Sequence, residues 1–337
     1  PGENRRGRWK ISRRLLEMAG EQGGQEARSR RVPHDALRTM RPAESSPLLA
    51  LALLCTTLAL PRTQEPPLES ADLAQRIEAV RARAGVPAMG AALVTRDGLA
   101  GVWVAGTRCA GDAEPAGQDD LWHLGSCTKA MTSTLLALLV TRGDLAWDGL
   151  LGDLLPDLAE RLHPDFVDVT LRELLGHRAG VTNQLSRAFR DDFAGLEHLP
   201  MVAQRERVVL DALGQAPVHP PHGKFLYSNL GYIVAGHVAE VVTGKSWEEL
   251  IASLLFEPLG MTSAGFGAPG TPGQRDQPRG HTDAGLAVEP GADADNPAML
   301  GPAGTVRASL GDWARFARVP LRGAVEDVKI GELTLAR

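Results

Sequence analysis

A long apolar stretch, Thr128 to Thr141, reads as one helix ending at Gly143, with Gly125-Ser126-Cys127-Thr128-Lys129 at its start. A chain of 337 residues with 43% hydrophobic content has the material for a sizeable core around such a helix. One large domain, or two intimately packed ones, is the expectation.

Upstream of that helix, Ala71 to Arg83 has helical periodicity and stops at Gly85, a favourable C-terminal cap. Ala88 to Val94 and Leu99 to Thr107 are β-type runs separated by Arg96-Asp97-Gly98, whose Asp-Gly favours a tight hairpin. Downstream, Thr170-Leu171-Arg172-Glu173 and Ser246-Trp247-Glu248-Glu249 match the capping box, so each opens a helix. Leu230 to Thr243 is a further helix closed by Gly244, Gly265 to Pro297 is a connection with little periodicity, and Leu310 to Arg318 is a helix capped by Ser309. The tail from residue 319 to Arg337 has room for one short strand at most. Two strands early, many helices after and little strand at the end predict an α+β domain whose sheet is unfinished.

A net charge of -5 supplies no basic field for nucleic acid, although the first 42 residues are Arg-rich. Three cysteines, Cys55, Cys109 and Cys127, are too few for a disulfide framework and lack metal-ligand spacing. Cys109 and Cys127 read either as a pair or as two buried thiols. From Met40 the chain has a short positive segment, an apolar run from Pro47 to Leu60 and a Pro-rich exit to Pro67, which predicts a signal peptide starting at Met40 after an upstream extension, residues 1–39. The apolar run is too short to span a bilayer, so export to the periplasm or medium is expected rather than a membrane anchor.

Ser126 and Lys129 are three residues apart, which puts them on one helical face, one turn from each other. A serine hydroxyl is a weak nucleophile until a base assists it, and a lysine is such a base when desolvation lowers its pKa. The helix start adds free N–H groups and the positive end of the dipole, which stabilise an oxyanion. Lysine is scarce here, occurring only at positions 10, 129, 224, 245 and 329, so this placement is less readily accidental. A second cluster, Tyr227-Ser228-Asn229, stands before the helix from Leu230, and tyrosine occurs only at Tyr227 and Tyr232. A phenol relays a proton when a cation lowers its pKa, and an adjacent amide holds a substrate carbonyl. The alternative for this cluster is a helix entrance capped by Asn229. His177 reads as structural, and His219 and His222, flanking two prolines, read as too stiff and isolated for a metal site.

In order along the chain, Trp122 to Lys129, Thr170 to Val181, Tyr227-Ser228-Asn229 with Gly231-Tyr232, and Gly301 to Phe316 resemble the serine β-lactamase-like hydrolases. That family includes class C β-lactamases, D-Ala-D-Ala carboxypeptidases, D-aminopeptidases and esterases. The resemblance implies a β-lactamase/transpeptidase-like fold over residues 68–318, with a divergent tail over 319–337. It also implies Ser126 as the acylated nucleophile, Lys129 as its base, Tyr227 as proton relay and Asn229 as substrate-binding residue, without metal or cofactor. The family's third motif, a Lys or His followed two residues later by Gly on a late strand, has no clear counterpart. Lys329-Ile330-Gly331 has the spacing but little chain around it, which reads as a truncation or frame shift after Arg318. The expected activity is acyl transfer from a small-molecule or peptide substrate, an amide or ester, to water. The competing expectation is a non-catalytic peptidoglycan- or ligand-binding module, or an inactive fragment.

Overall fold

The computed structural model describes residues 70–192, 195–291 and 294–337. The expected upstream extension and signal peptide, residues 1–67, lie outside the described residues.

The described chain opens with helix α1 (Ser70–Ala84), with Asp72 in its first turn and Arg81 and Arg83 in its last, the charge order that suits the helix dipole. It packs on an antiparallel hairpin of β1 (Ala88–Val94) and β2 (Leu99–Gly106), closed where Thr95 N–H donates to the Gly98 carbonyl at 2.8 Å. A second antiparallel sheet joins β3 (Leu121–His123), β7 (Val306–Ser309) and β4 (Gly265–Phe266), in the spatial order β3-β7-β4. Between β4 and β7 the connection carries one two-residue pair, β5 (Gly280–His281) with β6 (Ala287–Val288).

Helix α2 (Thr128–Arg142) is the centre of the core: Met131, Leu135, Leu136, Leu138 and Leu139 are all fully buried. Ala130 and Thr141 are exposed and Thr134 and Ala137 between them half-buried, so one narrow stripe of the helix meets solvent while the rest faces the core. Against it pack α5 (Asn229–Thr243) and α6 (Trp247–Ile251), and α3 (Leu171–Leu175) and α4 (Met201–Gly214) pack in turn on α5. The capping boxes at Thr170/Glu173 and Ser246/Glu249 are both formed. At α5 the capping side chain is Ser228, whose Oγ accepts from Gly231 N–H at 3.0 Å, so Asn229 is the first helical residue and not the cap. The change matters, because the Asn229 side chain is thereby free for other partners.

Helix α7 (Leu310–Gly323) is capped by Ser309 as expected but continues past Arg318 and takes Pro320 inside it. The tail then forms two strands rather than one at most: β8 (Val328–Ile330) pairs antiparallel with β9 (Leu333–Leu335) through a turn at Gly331, φ 59°. Val328 and Ile330 are buried while Lys329 between them is exposed, the alternation of a half-buried strand. The result is the expected mixture of helix and small antiparallel sheets. The cysteines depart from both expectations: Cys109 is buried, Cys127 is exposed, and both are free thiols. Among the described residues no helix is long and apolar enough to cross a membrane.

Candidate active site

Strand β3 ends at His123, and the chain turns through a short 3-10 segment, Gly125–Cys127, into α2. Gly125 takes φ 51°, a left-handed conformation that glycine adopts without a Cβ clash. The turn is held from outside. Leu124 N–H donates to the Val306 carbonyl at 2.8 Å, and Gly125 N–H donates to His123 Nδ1 at 3.2 Å. His123 Nε2 in turn lies 2.5 Å from Asp295 Oδ1. Ser126 emerges from this turn exposed.

One helical turn on, Lys129 is only 5% exposed. Its Nζ lies 3.0 Å from Ser126 Oγ and 2.7 Å from each of two carbonyl oxygens, Asn229 Oδ1 and the backbone oxygen of Ala303. It also stands over two phenol rings, 4.9 Å from the centroid of Tyr227 and 5.7 Å from that of Tyr232. Burial lowers its pKa from the usual lysine value to about 8, with the neighbouring Cys127 pulling weakly the other way. The carbonyl oxygens only accept, so a neutral amine donates its two hydrogens to them and turns its lone pair toward the Ser126 hydroxyl.

Tyr227 O–H donates to Ser126 Oγ at 2.7 Å. The segment Tyr227–Asn229 is clamped by Asn183, whose Nδ2 donates to the Tyr227 carbonyl at 3.1 Å and whose Oδ1 accepts from Asn229 N–H at 2.6 Å. His177, itself at φ 56°, accepts from Ser228 N–H at 3.1 Å and lays its ring 4.7 Å from that of Tyr227. Burial, then the charge of Lys129, lowers its pKa, which keeps it a neutral hydrogen-bond acceptor. The four residues singled out in the sequence, Ser126, Lys129, Tyr227 and Asn229, thus meet at one point.

Three parts of the site escaped sequence reasoning. Ala303 contributes a backbone carbonyl, which has no side-chain signature. It is carried by residues 301–306, tied to α2 where Thr132 Oγ1 donates to the Pro302 carbonyl at 2.8 Å and Thr128 Oγ1 accepts from Val306 N–H at 3.2 Å. Asn183 follows Gly180-Val181-Thr182, and its only signal was its place just after the matched stretch Thr170 to Val181. The His123–Asp295 contact joins residues far apart in the chain. His219 and His222 point to separate partners, the Pro220 carbonyl and Glu173 respectively. Gly331, in the Lys329-Ile330-Gly331 stretch, packs near Pro258, in the hairpin of β8 and β9.

A serine hydroxyl between a helix start and a short antiparallel sheet, within hydrogen-bond reach of both a buried amine and a phenol, is an arrangement of the serine-hydrolase type. The chain belongs to the Beta-lactamase family, whose model matches residues 73–334. It is similar to penicillin-binding protein 4 of Amycolatopsis lactamdurans, 30% identical over 77% of this chain and 66% of that protein. It is similar also to the unguisins hydrolase ungD of Aspergillus violaceofuscus, 29% identical over 58% of this chain and 35% of that protein. The chain therefore spans less than two thirds of the length of either relative. Among solved structures, the D-amino acid amidase of Ochrobactrum anthropi SV3, complexed with L-phenylalanine, superposes with a TM-score of 0.58 at 25% identity, over 76% of this chain and 70% of that one.

Proposed function

We propose that the protein hydrolyses an amide or ester through an acyl-enzyme on Ser126. The observation that carries this reading is the position of Ser126 Oγ, 3.0 Å from Lys129 Nζ and 2.7 Å from Tyr227 OH. In the proposed reaction the Ser126 proton passes to the neutral Lys129 amine as Oγ bonds to the substrate carbonyl carbon. Tyr227 O–H protonates the leaving nitrogen or oxygen as its bond to that carbon breaks, and the Lys129 ammonium returns a proton to the phenolate. Water then attacks the ester, its proton passing through Tyr227 and Lys129, and Ser126 leaves protonated. Asn229 holds Lys129 and offers its amide N–H to the substrate. The relatives support a hydrolase of this kind; the substrate class, a D-amino-acid peptide, a β-lactam or a small ester, is a proposal.

Incubation of the whole chain with a fluorescent penicillin and, separately, a fluorophosphonate tests the reading. Label on the wild type that is absent from Ser126→Ala is the expected result. Absence of label with both reagents, or equal label on the variant, overturns it in favour of a ligand-binding module. The pattern from Met40 to Leu60 supports export, and mass spectrometry of the mature amino terminus checks it.

A further inference from the structure

The loop of residues 217–224 delivers the chain to Tyr227, and His222 within it has two features unused by the chemistry above. Its backbone is left-handed, φ 63°, a conformation that a non-glycine residue keeps only where its surroundings hold it. Its ring supplies a hold: Nδ1 lies 2.6 Å from Glu173 Oε1 and Nε2 3.6 Å from Asp168 Oδ1. Glu173 is itself fixed, since its other oxygen accepts from Thr170 N–H and Oγ1–H in the capping box of α3.

The same short helix secures the other end of the segment. It runs into His177, whose carbonyl accepts from Leu226 N–H at 2.8 Å, whose Nδ1 accepts from Ser228 N–H, and whose ring backs Tyr227. Residues 222–228 are therefore pinned to α3 and its C-terminal turn at two points, one on each side of an exposed stretch that includes Phe225. Only the pin at His222 depends on charge.

We infer that His222 is a positioning residue for Tyr227: as an imidazolium bridging Glu173 and Asp168, it latches the loop in the shape that holds the phenol on Ser126. The inference rests on the reading of Tyr227 as the proton relay. The charged groups facing the imidazole are Glu173 and Asp168, while Arg172 is turned away toward Asp148 and Trp147 and Lys224 on its own loop is exposed. The hydrogen bond to Glu173 raises the His222 pKa, against a smaller effect of burial, and the charges of Glu173 and Asp168 add to it. Against its desolvation, hydrogen bonds from Thr170 and His222 hold the Glu173 carboxyl below the usual range. The latch is thus complete below the ordinary histidine pKa of about 6.5 and is lost as pH rises through the raised value.

The test compares wild type with His222→Asn, which tolerates the left-handed backbone but carries no charge, and with His222→Gly, which removes strain and charge together. Rates of Ser126 acylation by a fluorescent penicillin, whose leaving group is a nitrogen, are taken as a wild-type-to-variant ratio across pH, which cancels the titration of Lys129. The expected ratio is about two- to fivefold at pH 6, the range for a half-exposed ion pair, falling to one above pH 9, for both variants. A ratio that does not change with pH, or that is one throughout, overturns the latch. Amide hydrogen exchange over residues 217–227 gives the same comparison without any reaction, so failure of the wild type to label leaves the latch testable. Faster exchange in the variants at pH 6 but not at pH 9 supports it, and equal exchange at both overturns it.

Discussion

Lys129 donates to the side-chain carbonyl of Asn229 at 2.7 Å across 100 residues of chain, joining the helix that follows Ser126 to the helix that begins beside Tyr227. A neutral acceptor at that point leaves the amine free to lose its proton near pH 8, where burial has set it.

The pH dependence of acylation follows from that contact. In the proposed reaction Lys129 is a base only when deprotonated, so the expected rate of Ser126 labelling rises with pH and levels off above about 8. Replacing the amide with a carboxylate, Asn229→Asp, places a negative charge against the ammonium and raises its pKa. The rising limb moves up by about one unit or more and labelling at pH 7 falls about tenfold or more. Asn229→Ala separates the effects, because it loses the amide without raising the limb. A pH series of labelling rates for the three proteins is the measurement.

A close approach behind the site sets a second prediction. A Cβ on Gly236 of α5 meets Pro302 Cγ at 2.3 Å and Cβ at 2.7 Å, and the proline ring has no rotamer to retreat into. Gly236→Ala forces α5 and residues 301–304 apart, with a loss of about 1–3 kcal/mol in denaturant unfolding. It also draws Ala303 away from Lys129, so labelling slows in protein that remains folded.

The third concerns a charge cluster deep in the helical part. Arg205 is fully buried between Glu240 and Glu248, and Glu240 further accepts from Trp247 N–H at 2.9 Å and contacts His237 at 3.1 Å. Arg205→Met removes the cation and leaves the Glu240 carboxylate without its main partner. The expected loss is about 3–5 kcal/mol, read from thermal or urea unfolding. Arg205→Met with Glu240→Gln recovers part of it, since the double change removes the orphaned charge.

The elements that position the site were legible because their ends are written in side chains. Gly85, Gly143 and Gly244 stop helices, and the capping boxes at Thr170 and Ser246 start them. Ser126 and Lys129 were legible because helical spacing alone brings them together. Tyr227 and Asn229 became legible through the order of several motifs, since no local rule connects them to Ser126. What stayed hidden is long-range or backbone: Ala303 O, Asn183 and the His123–Asp295 contact. The tail was readable in principle, because Val328-Lys329-Ile330-Gly331-Glu332-Leu333-Thr334-Leu335 alternates about a glycine turn.

Ser126 and Lys129 are carried by adjacent turns of one chain segment, whereas Tyr227 belongs to another, and the contacts between their helices include Lys129 with Asn229 and Ser133 with Tyr232. The spacing of hydroxyl and amine is therefore set within a single segment. In the proposed reaction, a shift of one segment against the other would alter the phenol's reach while leaving the serine–lysine distance as it is, so proton delivery to the departing group would be tuned separately from activation of the attacking oxygen.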